Sequence, residues 1–271
     1  MPYLFLSPHL DDAIFSAGAL MAALSERGVE VICVTYFTAS VPDPTGFALA
    51  CQTDKGYAPE FDYMAMRRAE DVAACAAVGA KAVHLPFREA PHRGYESAKM
   101  LFAPPLARDA DILLELARAT QQLIEQYQPT AVFLPKCVGN HVDHWQLRRA
   151  VESIRARYPE LPFYLWYDQP YLMKHPAERP TGELPSLDVS TLSRPNRQTH
   201  SNSTTYAYDA SRYHERKMAG CAAYGSQLGF QFGGAPAMRE QYAEERVELF
   251  EYHSPLLHDQ RKPLASAHPS K

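Results

Sequence analysis

The stretch that decides the fold is YLFLSPHLDDAIFSAGALMAALSERGVEVICVTY, residues 3–36. It opens with a short, uninterrupted apolar run that is typical of a strand buried on both faces. Apolar residues then recur at helical spacing from Ile14 to Leu24, and Gly28 marks the end of a helix. Residues 29–36 are rich in β-branched side chains and contain no proline, which favours a second strand. The stretch therefore predicts a strand, a helix and a strand.

The same alternation continues along the chain. Two further helix patterns occur at residues 67–78 and 112–127, and they are followed by strand patterns at residues 82–85 and 131–134. One more strand pattern occurs at residues 163–167. Because right-handed crossovers lay helices over the strands they connect, this order predicts an α/β fold: a Rossmann-like, mostly parallel sheet with helices on both faces. One helix pattern, over residues 209–224, is visible further on, so we expect a smaller irregular carboxyl-terminal portion.

Three stretches lack a clear period, at residues 40–62, 86–107 and 173–205. Long loops of this kind commonly wall the ligand crevice of an α/β fold. At 271 residues the chain is short enough for one core. We therefore expect a single domain over residues 1–255 and a frayed tail over residues 256–271.

Composition and charge exclude several function classes. The net charge is -4 and no run of Lys or Arg occurs, so a nucleic-acid partner is not expected. No apolar stretch approaches the roughly 20 residues of a membrane span, and no signal peptide is evident, so we expect a cytoplasmic protein. Five cysteines without a CxxC pair indicate neither a disulfide framework nor a thiolate zinc site. Whether the protein is a monomer or a homo-oligomer stays open.

Two polar clusters follow predicted strands: HLDD at residues 9–12 after the first, and HVDH at residues 141–144 beyond the fourth. Ligands of open α/β sheets gather at the carboxyl ends of the strands, so the clusters are expected to meet. Two histidines and one carboxylate, with a position left open, form a known catalytic zinc site. His9, Asp12 and His144 can supply that set.

The remaining residues of the clusters suggest how a hydrolysis would proceed. A metal ion polarises a substrate carbonyl and acidifies water, so an amide can be attacked without a protein nucleophile. Asp11 is placed to act as general base, and His141 to protonate the departing amine. Asp143, two residues on, is expected to hold the ring of His141 in one tautomer.

Several alternatives remain open at this point. A single Asp or His is more often a helix cap or an ordinary surface or core residue than a catalytic one. Two histidines and a carboxylate also bind the iron of non-haem Fe(II) oxygenases, although those enzymes usually have an all-β fold. The residues alone therefore indicate a metal hydrolase or a metal oxygenase.

The motif PHLDDA, which starts at Pro8, and HVDH, which ends at His144, together resemble the paired signature of the LmbE/PIG-L family of zinc-dependent N-acetylglucosaminyl deacetylases. In that family the first His, the second Asp of the pair and the last His bind zinc, and the first Asp is the base. The resemblance implies that His9 and Asp12 are zinc (Zn2+) ligands with His144, and that Asp11 is the base. Iron(II) or another divalent metal is the alternative ion.

Further landmarks extend the resemblance over about residues 2–230. Arg67 corresponds to the arginine of the family's R-x-x-E helix and is implied to bind substrate. The segment from Lys217 to Gln227 is similar to the family's K-x-x-A segment leading into Ser-Gln, with Gly220 in place of the alanine. The implied reaction is hydrolysis of the N-acetyl amide of an N-acetylglucosamine-type sugar or conjugate to acetate and a free amine. The alternatives are an amidase for another N-acyl amino sugar or thiol conjugate and a non-catalytic sugar-binding module that retains the same residues.

Overall fold

The computed structural model describes residues 1–192 and 203–252. Within these ranges seven strands form one sheet in the order β3-β2-β1-β4-β5-β7-β6. The strands are β1 (Tyr3–Ser7), β2 (Val31–Thr35), β3 (Lys81–His84), β4 (Ala131–Pro135), β5 (Phe163–Trp166), β6 (Thr204–Asp209) and β7 (Val247–Tyr252). The first five pair in parallel, whereas β7 runs antiparallel to both β5 and β6. The predicted Rossmann-like, mostly parallel sheet is confirmed.

Helices surround the sheet. In the described residues they are α1 (Asp12–Glu26), α2 (Gly46–Thr53), α3 (Tyr63–Val78), α4 (Ala98–Leu101), α5 (Ile112–Tyr127), α6 (Val142–Ile154), α7 (Tyr171–Lys174), α8 (His214–Ala222), α9 (Gly225–Phe232) and α10 (Ala235–Ala243). Helices α1, α3 and α8 pack together, and α5 packs on α6. No helix in residues 1–192 or 203–252 combines the length and apolar character that crossing a membrane would require.

Alternate residues of the central strands face opposite sides of the sheet, which gives the protein two hydrophobic cores. Tyr3 and Phe5 of β1 belong to the core that contains α1, α3 and α8. Leu4 and Leu6 belong to the core that contains α5 and α6. Because both faces of these strands are buried, their sequences are apolar without interruption, and this run is the pattern that predicted them.

Helix α1 is buried along most of its length and is held by polar contacts from the carboxyl-terminal part of the chain. The backbone N–H groups of Ala19 and Leu20 donate to the carboxylate of Glu248, at 2.8 and 2.9 Å. The ammonium of Lys217 lies 2.9 Å from the same carboxylate, and both side chains are almost fully buried. A buried charge is tolerated only when it is paired, so these contacts form one unit.

The carboxyl-terminal portion is more regular than the sequence indicated. Residues 204–209 form β6, which ends at the first residue of the helix expected over residues 209–224, and α8 begins only at His214. Strand β7 was not predicted, because its sequence VELFEY contains two glutamates and does not look buried. Both glutamates have cationic partners inside the protein: Lys217 contacts Glu248, and Lys136 contacts Glu251.

The stretches expected to be irregular contain short elements. Helix α2 lies within residues 40–62, and α4 lies within residues 86–107. The expected tail over residues 256–271 lies outside the described residues, as does part of the stretch at residues 173–205.

The buried pair of Lys217 and Glu248 leads to a stability prediction. We expect Lys217→Met to lower the free energy of unfolding by about 3–5 kcal/mol, because it leaves the buried carboxylate without its cation. Urea denaturation followed by circular dichroism measures this. As a matched control, Arg239→Met removes an exposed ion pair with Glu215 at 3.7 Å and should cost less than about 1 kcal/mol. Equal losses in the two variants would contradict the assignment of the buried pair.

Candidate active site

The site lies at the point in the sheet where the connections from two neighbouring strands lead in opposite directions. Strand β1 leads through α1 to β2 on one side, and β4 leads through α6 to β5 on the other, while β1 and β4 are neighbours. Ligands of open α/β sheets bind in the crevice at such a switch point. The segments that follow β1 and β4 carry both polar clusters, and the structure brings the two clusters together as predicted.

Helices α1 and α6 both begin at this edge. Asp12 occupies the first turn of α1, where a carboxylate interacts favourably with the positive end of the helix dipole. His141 is the N-cap of α6, and its Nδ1 accepts a hydrogen bond from the backbone N–H of Asp143 at 3.2 Å. The starts of the two helices therefore fix the directions of the site's side chains.

Three side chains converge as metal ligands would. Asp12 Oδ2 lies 3.1 Å from His9 Nδ1 and 3.1 Å from His144 Nε2. Tetrahedral zinc ligands at about 2.0–2.1 Å from the ion lie roughly 3.3 Å apart, so the spacing fits a shared ion. Within the described residues, the fully buried His144 Nε2 makes no well-formed hydrogen bond, as expected of an atom reserved for a metal.

A second ligand set overlaps the first. One ligand atom each of His9, His141 and His144 lies within 4.8 Å of the others. The structure therefore places His141 beside the predicted ligands. The closer spacing around Asp12 and the capping role of His141 Nδ1 favour the set with the carboxylate.

Asp168 contacts the ring nitrogen of His144 that does not face Asp12. His144 Nδ1 lies 2.7 Å from Asp168 Oδ1, and Asp168 Oδ2 accepts from the backbone N–H of Val138 at 2.9 Å. This contact gives Nδ1 the proton and leaves Nε2 free to bind a metal. The sequence alone did not assign Asp168 to the metal site, although its position two residues after β5 repeats the signal that identified the two motifs.

Asp143 supports His9, and the expectation that its carboxylate holds the ring of His141 is wrong. Asp143 Oδ2 lies 2.9 Å from His9 Nε2 and accepts from the backbone N–H of Ala90 at 3.1 Å. Its other oxygen accepts from Arg93 at 2.8 Å. Because Asp143 lies in the first turn of α6, its side chain turns toward the loop that contains Ala90, and only its backbone N–H reaches His141.

Burial and charge shift the pKa values of the site. Burial, reinforced by the charge of Asp12, raises the pKa of Asp11 to about 7. Burial and the nearby charge of His9 lower the pKa of His141 to about 3, because together they outweigh the opposing effect of the Asp143 carboxylate. For His144, burial opposes the charged form, but Asp12 and Asp168 raise its pKa to about 9. Perturbed groups of this kind collect at functional sites.

Arg67 lies in the same cleft and is buried. Its Nη1 lies 2.5 Å from Glu89 Oε1, a partner that sequence reasoning missed because it lies in a long loop. The negative charge of Asp11 also acts on this guanidinium. The structure therefore brings Arg67 to the site, where a carboxylate already compensates part of its charge.

Two other sequence landmarks meet at the wall of the cleft. Glu70, of the R-x-x-E helix, accepts hydrogen bonds from the backbone N–H and the hydroxyl of Ser226, at 2.8 and 2.6 Å. Gln227, the next residue, donates to the hydroxyl of Tyr63 at 2.6 Å. These contacts attach α9 to α3.

The cleft itself has a volume of about 710 Å³. His9, Asp11, Asp12, His141, Asp143 and Arg67 all line it. Clefts that hold small-molecule ligands measure roughly 300–1,000 Å³, so a substrate of substantial size can enter.

Comparison with known proteins identifies the family. The family model described as PIG-L, GlcNAc-PI de-N-acetylase, matches residues 4–155. The 2'-N-acetylparomamine deacetylase of Streptomyces fradiae is 30% identical over 226 residues, which span 83% of this chain and 72% of that protein.

Solved structures share the fold. A zinc-inhibited form of teicoplanin deacetylase superposes with a TM-score of 0.74 at 24% identity, covering 93% of this chain and 97% of that one. The N,N'-diacetylchitobiose deacetylase of Pyrococcus horikoshii gives a TM-score of 0.55 at 20% identity, covering 94% and 84%. The sequence resemblance is confirmed: this chain belongs to the PIG-L, or LmbE-like, family of de-N-acetylases.

Proposed function

We propose that this protein hydrolyses the N-acetyl amide of an N-acetylglucosamine-type sugar or sugar conjugate, with zinc as its metal, and releases acetate and a free amine. The observation that carries the proposal is the convergence of His9, Asp12 and His144 on one point, with Asp11 and His141 facing the same cleft. Family membership supports the reaction type.

His9, Asp12 and His144 would hold the zinc ion, which supplies Lewis-acid polarisation of the amide carbonyl and acidifies water. Asp11 takes the proton of the attacking water as general base. A buried carboxylate with a pKa near 7 is well matched to this task, because it can accept a proton and release it again at neutral pH.

His141 is better suited to donating a hydrogen bond than to transferring a proton. Its Nδ1 accepts from the backbone N–H of Asp143, so the proton of the neutral ring is on Nε2. That N–H can stabilise the negative charge that develops on the carbonyl oxygen. The proton needed by the departing amine then comes from Asp11, which has just accepted one. This division differs from the acid role that the sequence suggested for His141.

Variants of Asp11 and His144 separate catalysis from metal binding. We expect Asp11→Asn to lower kcat by about 10²–10⁴-fold, because the general base is lost, while the bound zinc stays near one per chain. His144→Ala should lose both activity and zinc. Amine release from N-acetylglucosamine conjugates and elemental analysis measure the two effects. Full activity of Asp11→Asn would contradict the mechanism.

The contact of Asp168 with His144 leads to a prediction about metal affinity. Asp168→Asn should weaken zinc binding by about 10–100-fold, because it no longer fixes the ring tautomer through a charged acceptor. Competition with a chromophoric chelator measures the affinity. Asp209→Asn, an exposed turn carboxylate that caps Ser211, is the matched control and should bind zinc like the wild-type protein. Equal affinities in all three proteins would contradict the supporting role of Asp168.

Metal removal distinguishes the proposed hydrolase from an oxygenase. We expect a chelator to abolish amine release, and stoichiometric zinc to restore it equally in air and under anaerobic conditions, because hydrolysis needs no oxidant. Parallel additions of iron(II) and cobalt(II) rank the metals. Turnover that required dioxygen and iron would overturn the proposal in favour of an oxygenase.

A further inference from the structure

Beyond the catalytic groups, six aromatic side chains line the cleft. The aromatic residues along its wall are Phe47, Tyr57, Tyr63, Phe102, Tyr171 and Phe230. Two of them leave large apolar surfaces in solvent: Phe102 is 46% exposed and Phe230 is 73% exposed. A volume of about 710 Å³ is more than one acetamido sugar fills, so part of the substrate beyond the sugar would lie against this wall.

Phe102 lies directly beside the catalytic groups. Its ring centroid is 5.4 Å from that of His141, and the two planes are nearly perpendicular at 87°. The loop that carries Phe102 is held to the site, since the backbone N–H of Ala90 and the guanidinium of Arg93 both donate to Asp143. Phe102 thus contacts His141, lines the cleft and still leaves nearly half of its surface exposed.

Phe230 lies on α9, which is also fixed in place. Ser226, in the first turn of α9, is bonded to Glu70 of α3. The ammonium of Lys55 lies 5.5 Å from the centroid of the Phe230 ring. The exposed ring is therefore part of an ordered wall, and its exposure has no explanation in the packing of the protein itself.

The charges of the wall do not favour a strongly cationic substrate. Apart from the carboxylates around the metal ligands and the ion pair of Arg67 with Glu89, the charged residues that line the cleft are Asp54 and Lys55. One charge of each sign gives no net attraction for a polyamine. Aromatic surface and balanced charge together suit an uncharged, apolar group.

We propose that the natural substrate carries its N-acetylated amino sugar on an apolar aglycone, and that Phe102 and Phe230 determine specificity by packing against this aglycone. The inference rests on the proposed function, because it places the acetamido group at His9, Asp12 and His144. It adds the chemical class of the group attached to the sugar.

The test compares the phenyl and methyl glycosides of N-acetylglucosamine as substrates. In the wild-type protein KM for the phenyl glycoside should be at least about tenfold lower, since modest apolar groups in a hydrophobic pocket contribute about 10-fold or more. Phe102→Ser and Phe230→Ser should each reduce the ratio of KM for the methyl glycoside to KM for the phenyl glycoside, and Phe230→Leu should retain most of that ratio. Leu114→Ser, which removes an equally exposed apolar side chain of α5 that does not line the cleft, should keep the wild-type ratio.

Equal KM values for the two glycosides, or an unchanged ratio in both serine variants, would overturn the inference. A lower KM for an acetylated polyamino sugar than for the phenyl glycoside would also overturn it. Calorimetric binding of the phenyl and methyl glucosaminides, the deacetylated products, separates this inference from the proposed function. If no acetylated sugar is hydrolysed, the proposed function fails, while tighter binding of the phenyl glucosaminide that depends on Phe230 still supports the apolar wall.

Discussion

The parallel pairing of β1 with β4 is the constraint on which the site depends. Tyr3–Phe5 of β1 pair with Ala131–Phe133 of β4, so the segments that follow these two strands emerge side by side. His9 and Asp143 are 134 residues apart in the sequence, and yet their side chains are in hydrogen-bond contact. Two buried apolar strands thus position the polar residues, because the strands are parallel and in register and the segments that follow them leave the sheet at the same edge.

This arrangement gathers several ionisable groups in a buried volume, which would be unfavourable without compensation. The compensation is arranged in pairs. One carboxylate, Asp12, contacts both His9 Nδ1 and His144 Nε2, and a separate carboxylate contacts the other nitrogen of each ring, Asp143 for His9 and Asp168 for His144. Asp143 is in turn held by Arg93. The electrostatic balance of the site therefore extends well beyond the two sequence motifs.

Features that depend on a local pattern could be predicted from the sequence. The apolar run of β1 and the helical spacing after it predicted the first half of the fold, and the positions of His9 and His144 after buried strands predicted the edge of the sheet at which the two polar clusters meet. Features that depend on distant partners could not. Glu248 looks like a surface residue until Lys217 is placed beside it. Likewise, the side chain of Asp143 turns toward a loop whose path no sequence period describes, and for this reason its partner was misassigned.

The contacts of Glu248 with the backbone of α1 have a consequence for the order in which the protein is made. During synthesis the segment that carries His9 and Asp12 leaves the ribosome well before residue 248, but the N–H groups of Ala19 and Leu20 meet their acceptor only when residue 248 has emerged. A nascent chain that ends after β4 and α6 already contains every predicted metal ligand, and its first helix still lacks these tethers. Complete tethering of α1 is therefore a late step in the synthesis and folding of the chain.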